Sequence, residues 1–276
     1  MSVSPATALC GIVLHPAGHT RSPAMHNAAY AALAIDAVFV AFDVPPARLG
    51  AAMAGARALG IRQLAVSLPH KQAVMAHLDE IDETARRIGA VNTVTLRDGR
   101  LLGANTDWLG LARALERETK LGGKQAVVLG AGGTARAAVF ALQERGARVT
   151  VLNRTAARAE ALAKELGAAE AGALDALARC DHEVLVNTTS VGLRSDESPV
   201  PAAALRAGSV VLDAVYDPPE TRLLRDARAR GARTVGGKWM LVEQAVEQLR
   251  LWTGRTAPSQ VLADAFDAAG SAARAT

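Results

Sequence analysis

The chain lacks the features that mark several protein classes. Only two cysteines, Cys10 and Cys180, occur among its 276 residues, so no disulfide framework is implied and a reducing compartment fits. Aromatic residues make up 3%, which leaves Ala, Leu and Val to build a core of helices packed closely on sheet. Long hydrophobic runs are missing too: "AAYAALAIDAVFVAF" (28–42) is largely Ala and is broken by Asp36, so no membrane span is expected. The apolar run "LCGIVL" (9–14) is too short for a signal peptide, and no Lys or Arg precedes Arg21. A cytoplasmic protein is the resulting expectation. His15 and His19 are four apart, but Pro16 and Gly18 between them argue against a helical metal pair, and no metal is expected. Charge of one sign is scarce as well, because 31 basic residues are interleaved with 27 acidic ones. The densest basic stretch, "TRLLRDARARGAR" (221–233), contains Asp226 and has helical spacing. It reads as a solvated helix face, not a nucleic-acid footprint.

What is present is 50% hydrophobic content, ample for two cores. Apolar segments and helix patterns alternate: strand 9–14, helix 23–34, strand 37–42, helix 46–59, strand 61–68 and helices through 70–88. This alternation predicts α/β layers with parallel pairing. In "VNTVTLRDGRLLGANTD" (91–107), Asp98-Gly99 signals a hairpin. After a helix over 108–120 a second unit is predicted: strand 125–130, helix 133–145, strand 147–152, helix 155–166, strands 183–187 and 209–214, helix 220–230 and strand 233–235. The domain joint falls between Asp107 and Lys124. Two last helices, 240–252 and 259–270, could pack on either domain by periodicity alone.

Chemistry concentrates in two places. In "QAVVLGAGGTARAAVFAL" (125–142) a strand runs into Gly130, Gly132 and Gly133 at the opening of a helix. That arrangement lets backbone approach a pyrophosphate seated on the helix start. The following strand ends in "VLNRT" (151–155), with Asn153, Arg154 and Thr155 where an acid would hold a ribose 2′-hydroxyl. A guanidinium pairs with a 2′-phosphate and an acid repels it, so NADP is expected over NAD. Arg158, one turn into the helix, is a second phosphate partner or a surface residue. The other place is "AVSLPHK" (65–71), which puts Lys71 at a strand-to-helix junction. Ligands collect at such junctions, although a solvated loop lysine reads the same way.

With these residues in place the chain resembles the shikimate dehydrogenase family, NADP-dependent reductases of 3-dehydroshikimate. The resemblance runs in order through "HTRSPAMHN" (19–27), "AVSLPHK", "GAVNTV" (89–94), "NTDWLG" (105–110), "GAGGTAR" (130–136), "NRT" (153–155), "NTTSVG" (187–192), "DAVYDP" (213–218) and "MLVEQA" (240–245). It implies a substrate domain of residues 1–106 plus 240–276 and a Rossmann-like NADP domain of 107–239. By position it makes Lys71 and Asp107 the catalytic pair and Thr20, Ser22, Ser67, Asn92 and Gln244 ligands of a small carboxylate substrate. Thr134, Ala135, Thr188, Tyr216 and Gly237 join the glycine loop, Asn153, Arg154, Thr155 and Arg158 around the cofactor. A monomer or homodimer is expected.

Each of these residues also has an ordinary reading. Ser22 before Pro23 is a natural N-cap, Asn92 and Asp107 flank a hairpin, and Gln244 fits a helix surface. Departures fall near the pocket. Ala65 stands where the family usually has Asn, Ser67 replaces Thr and His70 replaces an aromatic. Thr20 and Arg21 replace Ser and Lys, Trp108 replaces Gly, and Lys238 and Trp239 occupy a turn normally small. Siblings acting on quinate or an aminated shikimate, and a non-catalytic NADP-binding protein, are the alternatives.

Overall fold

The computed structural model describes residues 3–18 and 20–275; His19 lies outside the described residues. Two compact units are present, Met1–Thr106 with Gln244–Thr276, and Asp107–Glu243.

The first unit is built on a six-stranded sheet: β1 (Ala8–Leu14), β2 (Ala37–Asp43), β3 (Gln63–Val66), β4 (Glu80–Ile81), β5 (Thr93–Arg97) and β6 (Arg100–Ala104), in the order β2-β1-β3-β5-β6-β4. Helices α1 (Ser22–Ala32) and α2 (Leu49–Ala58) make the crossovers that keep β1, β2 and β3 parallel. Beyond β3 the pairing changes, and β4 at the far edge is again parallel to its neighbour β6. β5 runs antiparallel to both β3 and β6; Asp98 and Gly99 take φ of 51° and 72° and close the expected hairpin between β5 and β6.

The helical expectation over 70–88 is corrected. The structure has a 3-10 turn at Ala73–His77, then β4, then the short α3 (Glu83–Ile88). Two aspartates explain the break, since short polar side chains offer the backbone an alternative to the helix. Asp79 Oδ2 accepts from Leu101 N at 2.6 Å, tying the chain to β6, and Asp82 Oδ1 accepts from Ala85 N at 2.6 Å, starting a new helix.

The second unit contains α4 (Asp107–Glu116) and a sheet with every neighbour parallel. Its strands are β7 (Gln125–Leu129), β8 (Arg148–Leu152), β9 (Glu170–Gly172), β10 (Val184–Asn187), β11 (Val210–Asp213) and β12 (Arg233–Gly236), ordered β12-β11-β10-β7-β8-β9. Helices α5 (Gly133–Glu144), α6 (Ala156–Leu166) and α7 (Arg222–Ala229) complete the crossovers. This is the doubly wound order, and the direction of winding reverses between β7 and β10. The strands are buried on both faces, Ala126 and Val128 in one cluster and Val127 and Leu129 in the other. β9, three residues of Glu, Ala and Gly, carries no β-branched signal and is absent from the sequence reading.

Of the last helices, α8 (Gly237–Thr253) passes from the second unit into the first at Gln244, and α9 (Ser259–Ala275) packs on α1. No helix among the described residues is long and apolar enough to cross a membrane.

Candidate functional site

In the first unit the candidate residues gather at the carboxyl ends of β1 and β3. Thr20 and Ser22 lie in the connection leaving β1, while Ser67 and Lys71 follow β3. Asn92 reaches the same edge because β5 runs antiparallel and begins there, with Asn92 O accepting from Val66 N at 2.8 Å. Lys71 is half-buried, and its carbonyl accepts from Val91 N at 2.7 Å. His70, one of the departures, is buried, with Nε2 against the Val44 carbonyl at 2.7 Å.

The capping role expected of Ser22 is corrected. Helix α1 starts at Ser22 itself, Arg21 holds the N-cap position, and no side chain caps it. Instead Thr20 Oγ1 accepts from Ser22 N at 3.3 Å. Ser22 is 3% exposed, so a buried hydroxyl sits at a helix start without a capping duty. Such a position suits an anionic group, because the first turn has unsatisfied N–H donors.

Asn92 and Gln244 are not surface residues. Both are buried, and Asn92 Nδ2 donates to Gln244 Oε1 at 3.1 Å and to Thr106 Oγ1 at 3.0 Å. Asn92 Oδ1 accepts from Thr106 N at 2.8 Å. Thr106, which the sequence reading did not single out, immediately precedes α4 in the chain. Asp107 is 4% exposed as the first residue of that helix. A buried carboxylate at a helix start is favoured by the backbone donors there.

In the second unit the glycine loop lies where the sheet's winding reverses. Gly130 has φ of 117°, and a Cβ on it would stand 2.5 Å from Thr188 Oγ1. Thr188 is fixed in turn by its own donation to Leu129 O at 2.6 Å. Gly132, the N-cap of α5, differs: its φ of −94° and ψ of −171° suit any residue, and a Cβ there would meet nothing within 4 Å. That space lies at the N-terminus of α5, where a pyrophosphate is stabilised. Gly133, Thr134 and Ala135 form the first turn of α5.

The end of β8 carries exposed Arg154, Thr155 and Arg158, and Asn153 Nδ2 donates to the Thr155 carbonyl at 3.0 Å. No acid stands in this turn, so the residues present fit a nucleotide with a 2′-phosphate. Gly237 is required by close backbone, since its Cβ would lie 2.5 Å from Ala214 O, beside the loop that holds Tyr216. The bulk of Trp239 is managed by Arg117, whose guanidinium covers the indole at 3.8 Å.

Beneath this edge is a network that the sequence reading missed. Asp213 is fully buried and accepts from Asn187 Nδ2 at 2.9 Å, Thr221 Oγ1 at 2.6 Å and Val215 N at 3.0 Å. Burial pushes its carboxyl up to about 6, against the pull of those three donors. Asn187 Oδ1 then accepts from Thr189 N at 3.0 Å, so one buried carboxylate shapes the loops carrying both Thr188 and Tyr216. Paired Asn and Asp ends on neighbouring buried strands were the available signal.

Residues 12–94 match the shikimate dehydrogenase substrate binding domain, 112–195 the shikimate / quinate 5-dehydrogenase family and 237–265 the shikimate 5′-dehydrogenase C-terminal domain. The chain is 51% identical over 255 residues to the shikimate dehydrogenase (NADP(+)) of Thermococcus kodakarensis, covering 90% of this chain and 92% of that one. The chain belongs to the shikimate dehydrogenase family. Within that family it is 39% identical to the Thermus thermophilus enzyme crystallised with NADP(H) and shikimate, with a TM-score of 0.89 over 95% of this chain and all 100% of that one. A 5-ketofructose reductase from Gluconobacter shares the fold at a TM-score of 0.83 and 38% identity, over 96% of this chain and 99% of that one.

Proposed function

We propose that the protein is an NADP-dependent shikimate dehydrogenase that interconverts 3-dehydroshikimate and shikimate. The observation that carries this reading is the likeness across nearly the whole chain to relatives of that name, with Lys71 and Asp107 both retained. The first unit is the substrate domain and the second holds NADP. Bound NADPH supplies the hydride, and the protein supplies position and a proton. Lys71 donates that proton to the ketone oxygen in reduction and accepts it from the hydroxyl in the reverse direction. Asp107 orients Lys71 and bonds the adjacent ring hydroxyl. Thr20 and Ser22 hold the substrate carboxylate with the donors of α1, while Ser67, Asn92 and Gln244 bond the ring hydroxyls.

For the cofactor, Gly130, Gly132, Gly133, Thr134 and Ala135 take the pyrophosphate, and Asn153, Arg154, Thr155 and Arg158 take the adenosine 2′-phosphate. Thr188, Tyr216 and Gly237 line the nicotinamide end. The enzyme works in the cytoplasm as a monomer or homodimer, without nucleic-acid or membrane partners.

Ala65 favours a second reading. It is buried where the family usually places Asn, so one polar contact to the ring is removed, and a sibling activity on quinate or an aminated shikimate follows. Steady-state assays with NADPH and NADP against dehydroshikimate, shikimate, quinate, aminoshikimate and 5-ketofructose decide between the readings. The proposal expects the highest kcat/KM with the shikimate pair; a higher value for any other substrate transfers the assignment to that one.

A further inference from the structure

Behind the Asn92–Gln244 pair runs a chain of buried hydrogen bonds with a fixed direction. Gln248, one turn beyond Gln244 on α8 and 1% exposed, donates through Nε2 to Asn92 O at 2.9 Å and to Thr93 Oγ1 at 3.0 Å. Thr93 has one hydroxyl proton, and it goes to Asn92 Oδ1 at 2.7 Å. Asn92 Oδ1 also accepts from Thr106 N at 2.8 Å, and with both donors on that oxygen Asn92 Nδ2 faces outward, toward Thr106 Oγ1 and Gln244 Oε1. A hydroxyl gives a single proton and an amide has distinct ends, so each bond dictates the polarity of the next. Starting from Gln248, the series commits the Gln244 oxygen toward Asn92.

The far end of the chain is also polar. Gln248 Oε1 is buried without a hydrogen bond, and so are both ring nitrogens of His26. The two side chains face each other. His26 cannot turn away, because its ring lies flat on Phe39, 4.1 Å between centroids and 9° between planes, with Trp252 at 5.3 Å. Burial pushes His26 down to about 3, so its ring is neutral.

We propose that Gln248 is a positioning residue for substrate binding, acting with the Thr106 N–H to hold the amide of Asn92 and, through it, that of Gln244 in one orientation. This rests on the reading of Asn92 and Gln244 as substrate ligands. A residue that merely packs α8 would affect stability and all kinetic constants alike. Positioning predicts a split between them.

Gln248→Met keeps the volume and removes both donors. Its shikimate KM should rise about 3- to 10-fold, the scale of one hydrogen bond, while kcat and the NADP KM stay within about twofold. In an Asn92→Ala background the same substitution should change the shikimate KM by less than about twofold, since nothing is left to position. Thr93→Val removes the relay hydroxyl with little change of shape and should reproduce the split, which keeps the test open if Gln248→Met does not fold. An unchanged KM in either single variant, or effects that add fully to Asn92→Ala, overturns the proposal. An unchanged KM in Asn92→Ala itself refutes the ligand reading, and the positioning role falls with it.

Discussion

Gly130 and Gly132 are two residues apart in one loop, and the structure gives them different reasons to be glycine. Gly130→Ala would put a Cβ 2.5 Å from Thr188 Oγ1 at a φ of 117°. Backbone strain of that kind costs about 1–3 kcal/mol. Displacing Thr188 also breaks its bond to Leu129 O, adding about 0.5–1.5 kcal/mol. The expected loss is therefore about 1.5–4.5 kcal/mol of stability in the second unit, read by urea denaturation. Gly132→Ala meets no protein atom within 4 Å and needs no change in backbone, so stability should stay within about 0.5 kcal/mol of the parent. Its Cβ instead occupies the space assigned to the pyrophosphate, and NADPH affinity, followed by fluorescence titration, should fall at least about tenfold, or about 1.4 kcal/mol. A Gly132→Ala protein that binds NADPH like the parent, or a Gly130→Ala protein of parental stability, would refute the assignment.

Two further outcomes follow from side chains in the same unit. Arg154→Ala should weaken NADP by about 10- to 150-fold through loss of about 1.5–3 kcal/mol of charge-assisted bonding, with NAD nearly unchanged; equal losses in parallel titrations of both cofactors would remove Arg154 from the 2′-phosphate site. For Asp213 the folded carboxyl ionises near 6 rather than 3.8, so between those values the unfolded chain gives up its proton first. Its contribution to stability is present at low pH and falls as pH rises through this window, by about 3 kcal/mol, and a pH series of urea midpoints should show that slope in the parent but not in Asp213→Asn.

Much of the architecture was legible because it is written in short-range signals. The strand-glycine-helix run at 125–142 gave β7, the loop and α5, and Asp98-Gly99 gave the β5–β6 turn. Segments that failed were those where a side chain competes with the helix, as at Asp79 and Asp82, or where a strand is very short, as β9 is. The place of Arg154, exposed in the turn just after β8, was legible from the strand pattern before it. Ser22 misled because a serine before proline looks like a cap, whereas the helix begins one residue earlier than a cap requires. Asp213, Thr106 and Gln248 were invisible for another reason: their partners lie 26, 14 and 156 residues away. Only the folded sheets bring those partners into bonding distance.

The central claim is that Lys71 carries the proton in the redox step, and the most direct test is Lys71→Ala under saturating shikimate and NADP. Turnover should fall by about 100- to 10,000-fold, the usual worth of a positioned acid or base. NADPH affinity, measured on the same protein, should stay within about twofold, since Lys71 belongs to the first unit and the cofactor residues to the second. Near-parental turnover in Lys71→Ala would mean that the proton comes from another group, and the mechanism given for this site would be wrong.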